Sequence, residues 1–259
     1  MKNLKNILIG LVIIIILAIG ANVMFNKGEV KEETSNNEEE LEKIIMVTEA
    51  GFAPYEFYDG EEIVGVDVEI AKKIAEKTGK ELEIKDTDFD SLINEVKTGK
   101  ADFAAAGLSI TEERLQEVDF SVEYAVSKQV IVVKNESEAE SIEDFNGKKV
   151  AVQLGTIADL VLSDENPEIE LVQHKKYLLA VEDLKADKVE AIVLDSLPAK
   201  EIVDKNPELK ILEKEVLVDK YGIAVQKGNT ELLNSINEVL NELMDSGKIE
   251  EYTMNYLGE

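Results

Sequence analysis

The chain holds a single arginine, Arg114, against 27 lysines, and it stands in the stretch GLSITEERLQEVDF, residues 107–120. A guanidinium is a planar fork that grips a carboxylate through two parallel hydrogen bonds, a geometry the ammonium of lysine cannot supply. Around it, Gly107 permits close approach to the backbone and Ser109 offers a hydroxyl and an amide. Ser109 and Glu112 also have the spacing of a capping box, with Thr111 opening a helix whose free amides attract anions. The competing assignment for Arg114 is a surface ion pair with Glu112, Glu113 or Glu117, which a lysine would serve equally well.

Further on, KVAVQLGT ends in Gln153, Gly155 and Thr156 at the start of a helical pattern, and VEAIVLD ends in Asp195 before SLPAKE. Asp195 either caps that helix or presents a carboxylate to an ammonium. After the apolar run KIIMVT comes EAGFAPYEF, with Glu49, Gly51, Phe52, Pro54 and Tyr55, which local sequence also reads as a turn burying an aromatic or two. A cationic fork in one half of the chain and an anionic group in the other describe a receptor for a zwitterion, an α-amino acid.

These groups need elements that place them. From Leu41 the chain alternates short apolar runs with amphipathic ones, the pattern of an α/β sheet with parallel strands. A helix over residues 67–77 puts Val68, Ala71, Ile74 and Ala75 on one face, and Gly79 follows as a stop signal. A second βα series begins at KKVAVQLGT, and the closing helical segment, TELLNSINEVLNELMDSGKIEEYTMNYLG, has no strand left to cover in that half. The economical solution is two α/β lobes, with the chain crossing at residues 125–128 and returning at 217–221 as a hinge. The first lobe then comprises residues 44–124 and 222–259, and the second 129–216. Ligands of open α/β sheets bind beyond the carboxyl ends of the strands, so the facing lobes enclose a cleft.

Composition narrows the chemistry. Acids outnumber bases 55 to 28, for a formal net charge of -27, which repels nucleic-acid phosphates and excludes that partner. With no cysteine and only His174 for histidine, disulfides, thiolate nucleophiles and histidine-rich metal sites are ruled out by arithmetic, and no cofactor is expected. Lys2 and Lys5 precede 21 uncharged residues, NILIGLVIIIILAIGANVMFN, an export segment that orients the rest outside the cytoplasm. Its length suits a retained membrane anchor, while Ala18 and Gly20 permit cleavage before Ala21. Residues 27–43 are polar and mostly acidic, a disordered tether between segment 1–26 and the lobes.

Several stretches in the right order, TEAGFAPYEF, GVDVEIAKKIAEKTG, TDFDSLINEVKTGKADFAAAGLSITEERLQEVDFS, VAVQLGT, AIVLDS and YGIAVQKGN, resemble the polar amino-acid family of extracellular solute-binding proteins that feed ABC importers. The resemblance runs from about Ile44 to Tyr256. It implies the type II periplasmic-binding-protein fold, a Venus flytrap of two α/β lobes on a two-strand hinge, working as a monomer with an importer permease. It further implies that Arg114 binds the ligand α-carboxylate with help from Ser109 and from backbone groups at Ala106, Gly107 and Thr156, and that Asp195 takes the α-ammonium. Phe52 and Phe89 match the aromatic pair that sandwiches the ligand, and Glu49 and Gln153 stand where the family contacts the ligand side chain. Ile157 departs from the small or hydroxylic residue often found after the GT element, so a hydroxyl contact there is lost.

Glu49 and Gln153 favour a polar or basic side chain, because a buried carboxylate needs a donor or a cation. Arginine, lysine, histidine and glutamine all fit. Two other classes share the resemblance: an amino-acid-sensing ectodomain, and an extracytoplasmic dehydratase or lyase-associated domain of the same fold. No acid–base pair in the sequence is better explained by catalysis than by ligand binding, so no enzymatic activity is expected.

Overall fold

The computed structural model describes residues 41–258; segment 1–26 and residues 27–40 of the expected tether lie outside the described residues. The chain opens with β1 (Lys43–Thr48) and a small antiparallel sheet of β2 (Gly51–Phe52), β3 (Glu56–Asp59) and β4 (Glu62–Val64). Then come α1 (Val66–Thr78), β5 (Glu81–Asp86), a 3-10 turn at Phe89–Ser91, α2 (Leu92–Lys97), β6 (Phe103–Ala104), α3 (Glu112–Glu117) and β7 (Val118–Phe120). Helix α1 forms where the apolar spacing predicts: Val68, Ala71, Ile74 and Ala75 are all buried. It stops at Gly79, whose φ of 68° lets its amide turn back to the carbonyls of Ala75 and Glu76.

The second series is β8 (Ala125–Lys134), β9 (Lys149–Gln153), α4 (Ile157–Glu165), β10 (Glu170–His174), α5 (Tyr177–Lys185), β11 (Ala191–Asp195), α6 (Ser196–Lys205), β12 (Leu209–Ile211) and β13 (Leu217–Tyr221). The chain closes with β14 (Ala224–Gln226), α7 (Thr230–Asp245) and α8 (Lys248–Leu257).

Two sheets result, in the orders β5-β1-β6-β14-β7 and β10-β9-β11-β8-β12, with β13 also pairing β8. Each has a parallel half built from local βα units, β5-β1-β6 in one and β10-β9-β11 in the other. The expectation of parallel sheets fails in the other halves, where β14 and β8 run antiparallel to their neighbours. Strand β8 is one of the two crossing strands, and β14 directly follows the other, β13. The crossing segments pair with each other from Ala125 against Tyr221 to Gln129 against Leu217. Helices α7 and α8 pack on the first lobe, burying Ile236, Val239 and Leu240, with Lys77 on Glu238 at 2.7 Å and the Tyr256 hydroxyl donating to Glu69 at 3.1 Å.

Candidate functional site

The loop after β6 runs alongside β13, with the Ile110 amide donating to the Lys220 carbonyl at 2.9 Å and the Gly222 amide to that of Leu108 at 3.1 Å. This neighbour overturns the expected capping box. The Ser109 hydroxyl donates to the Asp219 carboxylate in β13, and α3 is capped instead by Thr111, whose hydroxyl oxygen accepts from the Arg114 amide at 3.1 Å. Helix α3 has only six residues, too few to act as an anion-binding terminus.

Arg114 is 6% exposed, so the surface ion pair is overturned too. Its Nη1 donates to the Ser109 carbonyl at 2.6 Å, its Nη2 crosses the cleft to the Gly155 carbonyl at 2.8 Å, and its guanidinium carbon lies 5.6 Å from the centre of the Phe89 ring. Burial pushes its pKa down to about 10, while Asp219, Glu113 and Asp195 favour the charge, so it is a cation at neutral pH.

Asp195 ends β11 and occupies the cap position of α6 without making a side-chain cap bond; its Oδ1 accepts the Tyr221 hydroxyl. Burial and the neighbouring Asp219 push its pKa up to about 6, against the pull of Tyr221. Asp219 is raised as well, chiefly by burial, with Ser109 the main opposing group. Two acids thus share one buried region, and a cation placed there would be strongly favoured.

At the other end of the cleft Glu49, 1% exposed, meets the second lobe with both oxygens. Gln153 Nε2 donates to Oε2 at 3.1 Å and to the Lys175 carbonyl at 2.8 Å; the Lys176 ammonium lies on Oε1 and 3.6 Å from Asp86. Phe52 stacks on Tyr55 at 5.9 Å and on Tyr177 at 6.0 Å. Phe52 and Phe89 therefore serve different neighbours: Phe52 faces Tyr177 of the second lobe, and Phe89 carries Arg114.

The backbone positions are tightly engaged. Ala106 is buried, and Gly107 sits at a φ of 53°, where a Cβ would come 2.7 Å from the Phe52 ring. The Gly107 amide donates to Asp67 at 2.9 Å, and Asp67 also accepts the Tyr124 hydroxyl at 2.7 Å. Thr156 caps α4, its hydroxyl donating to the Gln153 carbonyl at 2.8 Å and accepting from the Asp159 amide at 3.4 Å; Ile157 follows as the first helical residue. Four residues around these groups escaped the sequence reading: Lys176, Tyr177, Asp219 and Tyr221. The only trace is two polar and aromatic runs, HKKY at the end of β10 and VDKY within β13.

The fold is shared with similar proteins. An arginine-binding extracellular protein of Bacillus subtilis, ArtP, is 32% identical over 91% of this chain and 94% of its own. A mutant of ArgBP from T. maritima superposes with a TM-score of 0.80 at 42% identity, covering 84% of this chain and 96% of that one. An ancestral arginine-binding protein bound to glutamine gives 0.78 at 38% identity, covering 84% and 98%. Residues 44–259 match the profile of one family over nearly all of the described chain, and the protein belongs to the bacterial extracellular solute-binding proteins, family 3.

Proposed function

We propose that the protein captures a free L-α-amino acid with a polar or basic side chain between its lobes and delivers it to an ABC-type importer, without chemical conversion. The observation that carries this is the opposition of two buried charges: Arg114 on the first lobe and Asp195 on the second, at 6% and 5% exposure. Asp195 favours the charge of Arg114, so the two lie within electrostatic reach of one another, as the ends of a zwitterion require. In this reading Arg114 takes the α-carboxylate with the donors it has left, and Asp195 takes the α-ammonium. Phe52 and Tyr177 border the side-chain space, with Glu49 and Gln153 at its end.

The arginine-binding names of the relatives and the glutamine bound by one of them support the same ligand class. Calorimetric titration against the standard amino acids tests it. A dissociation constant in the micromolar range or tighter, about -8 kcal/mol or better, is expected for at least one of them. Ligand recovered from the denatured complex should be chemically unchanged. Absence of heat with every amino acid, or turnover of the bound one, would refute the proposal.

A further inference from the structure

Glu49, at the side-chain end of the cleft, is almost wholly buried, and its carboxylate is already paired from inside the protein. Lys176, the residue just before α5, spans the cleft and sets its ammonium on Glu49 Oε1 with Asp86 at 3.6 Å behind it. Next to it Lys175 pairs with Asp88, again from the second lobe to the first. The other Glu49 oxygen accepts from Gln153. Both oxygens therefore point to groups of the second lobe.

We propose that Lys176 is a specificity-determining residue that stands in for the cationic end of a ligand on Glu49, and so holds down the preference for basic over neutral polar side chains. The inference rests on the amino-acid receptor proposed above. A guanidinium or ammonium brought by a ligand must either displace Lys176 from Glu49 or sit beside a like charge. A neutral ureido or amide group faces neither requirement, since it can donate to a carboxylate that Lys176 continues to neutralise. Lys176 has solvent beside it into which to withdraw: its side chain is 36% exposed, while that of Glu49 is 2% exposed. Retreat costs the lysine little solvation, whereas Glu49 must keep a partner.

The test compares arginine with citrulline, which replaces the charged guanidinium by a neutral ureido group of nearly the same shape. Calorimetry on the wild-type protein, Lys176→Met and Lys176→Arg gives the ratio of the two affinities for each. The ratio should shift toward arginine by about tenfold in Lys176→Met, the size expected of one charge interaction at a half-exposed position, and stay near wild type in Lys176→Arg. A single cooperative melting transition in each variant establishes that both fold. Equal loss of affinity for both ligands in Lys176→Met would make the lysine a closure latch and overturn the inference, as would an unchanged ratio. If the wild-type protein binds neither these ligands nor any other amino acid, the receptor itself is refuted and this inference falls with it; an unchanged ratio in a protein that still binds refutes this inference alone.

Discussion

Replacing Arg114 by lysine keeps the charge and removes the fork, which makes it the sharpest test of how the site works. The guanidinium uses two nitrogens on carbonyls 2.6 and 2.8 Å away, Ser109 in its own lobe and Gly155 in the other. Arginine has five N–H donors, so three remain for a ligand carboxylate. A lysine ammonium has three donors on one atom and cannot reach both carbonyls and a carboxylate together. At least one charge-assisted bond to a buried carbonyl is lost, worth about 1.5 to 3 kcal/mol, and the two-point grip on the carboxylate goes with it. Affinity should fall by roughly 2 to 5 kcal/mol, a factor of about thirty to several thousand. Calorimetry with the tightest-binding amino acid measures this directly, and a melting curve without ligand reports the structural share of the loss. If the variant melts at a lower temperature but binds as tightly as wild type, Arg114 serves only the two carbonyls, and its role as carboxylate clamp is refuted.

Two further substitutions probe the supports of the site. Gly107→Ala would force an alanine into a left-handed conformation at φ 53° with its Cβ 2.7 Å from the Phe52 ring, costing roughly 2 to 5 kcal/mol of stability; an unchanged melting temperature would contradict the close approach. Beneath this loop, Glu56 and Asp67 are wholly buried. Burial, then Asp67, raises the Glu56 carboxyl well above its ordinary range, while burial pushes Asp67 up to about 6 from 3.8. Because both folded-state values are raised, the native state keeps protons that the unfolded chain has released. Stability should therefore fall as pH rises from about 4 through about 6, by roughly 3 kcal/mol for Asp67 alone, and continue to fall as Glu56 is forced to ionise. Glu56→Gln removes the buried acid that must ionise as pH rises, so melting temperature should decline less between about pH 5 and pH 8 than in wild type. Parallel profiles for the two proteins would refute the raised Glu56 carboxyl.

What the sequence made legible is what short-range rules govern. The stripe Val68, Ala71, Ile74 and Ala75 forms one buried helical face, and Gly79 ends it with the left-handed turn that glycine adopts without strain. Arg114 stood out through composition alone, because a lone guanidinium among lysines marks a need for its shape. Ser109 shows where such rules fail. The spacing to Glu112 was right for a cap, but Asp219, 110 residues away, lies across from it and takes the hydroxyl, leaving the cap to Thr111. Lys176, Tyr177 and Tyr221 were illegible for the same reason: each acquires its neighbour when two lobes meet, and no local pattern encodes that meeting. The antiparallel entry of β8 and β14 follows from the crossing topology, which strand-by-strand propensity does not contain.

In the receptor proposed above, strand β13 ties the carboxylate and ammonium sites together. Its Asp219 accepts from Ser109, whose carbonyl holds Arg114, and its Tyr221 donates to Asp195. The same strand pairs with β8 along the crossing. Any change in the angle between the lobes must therefore pass through residues bonded to both clamps. Asp219 also raises the proton affinity of Asp195, so repulsion between the two acids is a standing cost of the folded site. An ammonium seated between the lobes would relieve that repulsion while the carboxylate of the same ligand engages Arg114. Burying two like charges beside a hinge is poor design for stability alone; in the proposed receptor it would make closure depend on the arrival of a cation carried by a molecule that also bears a carboxylate.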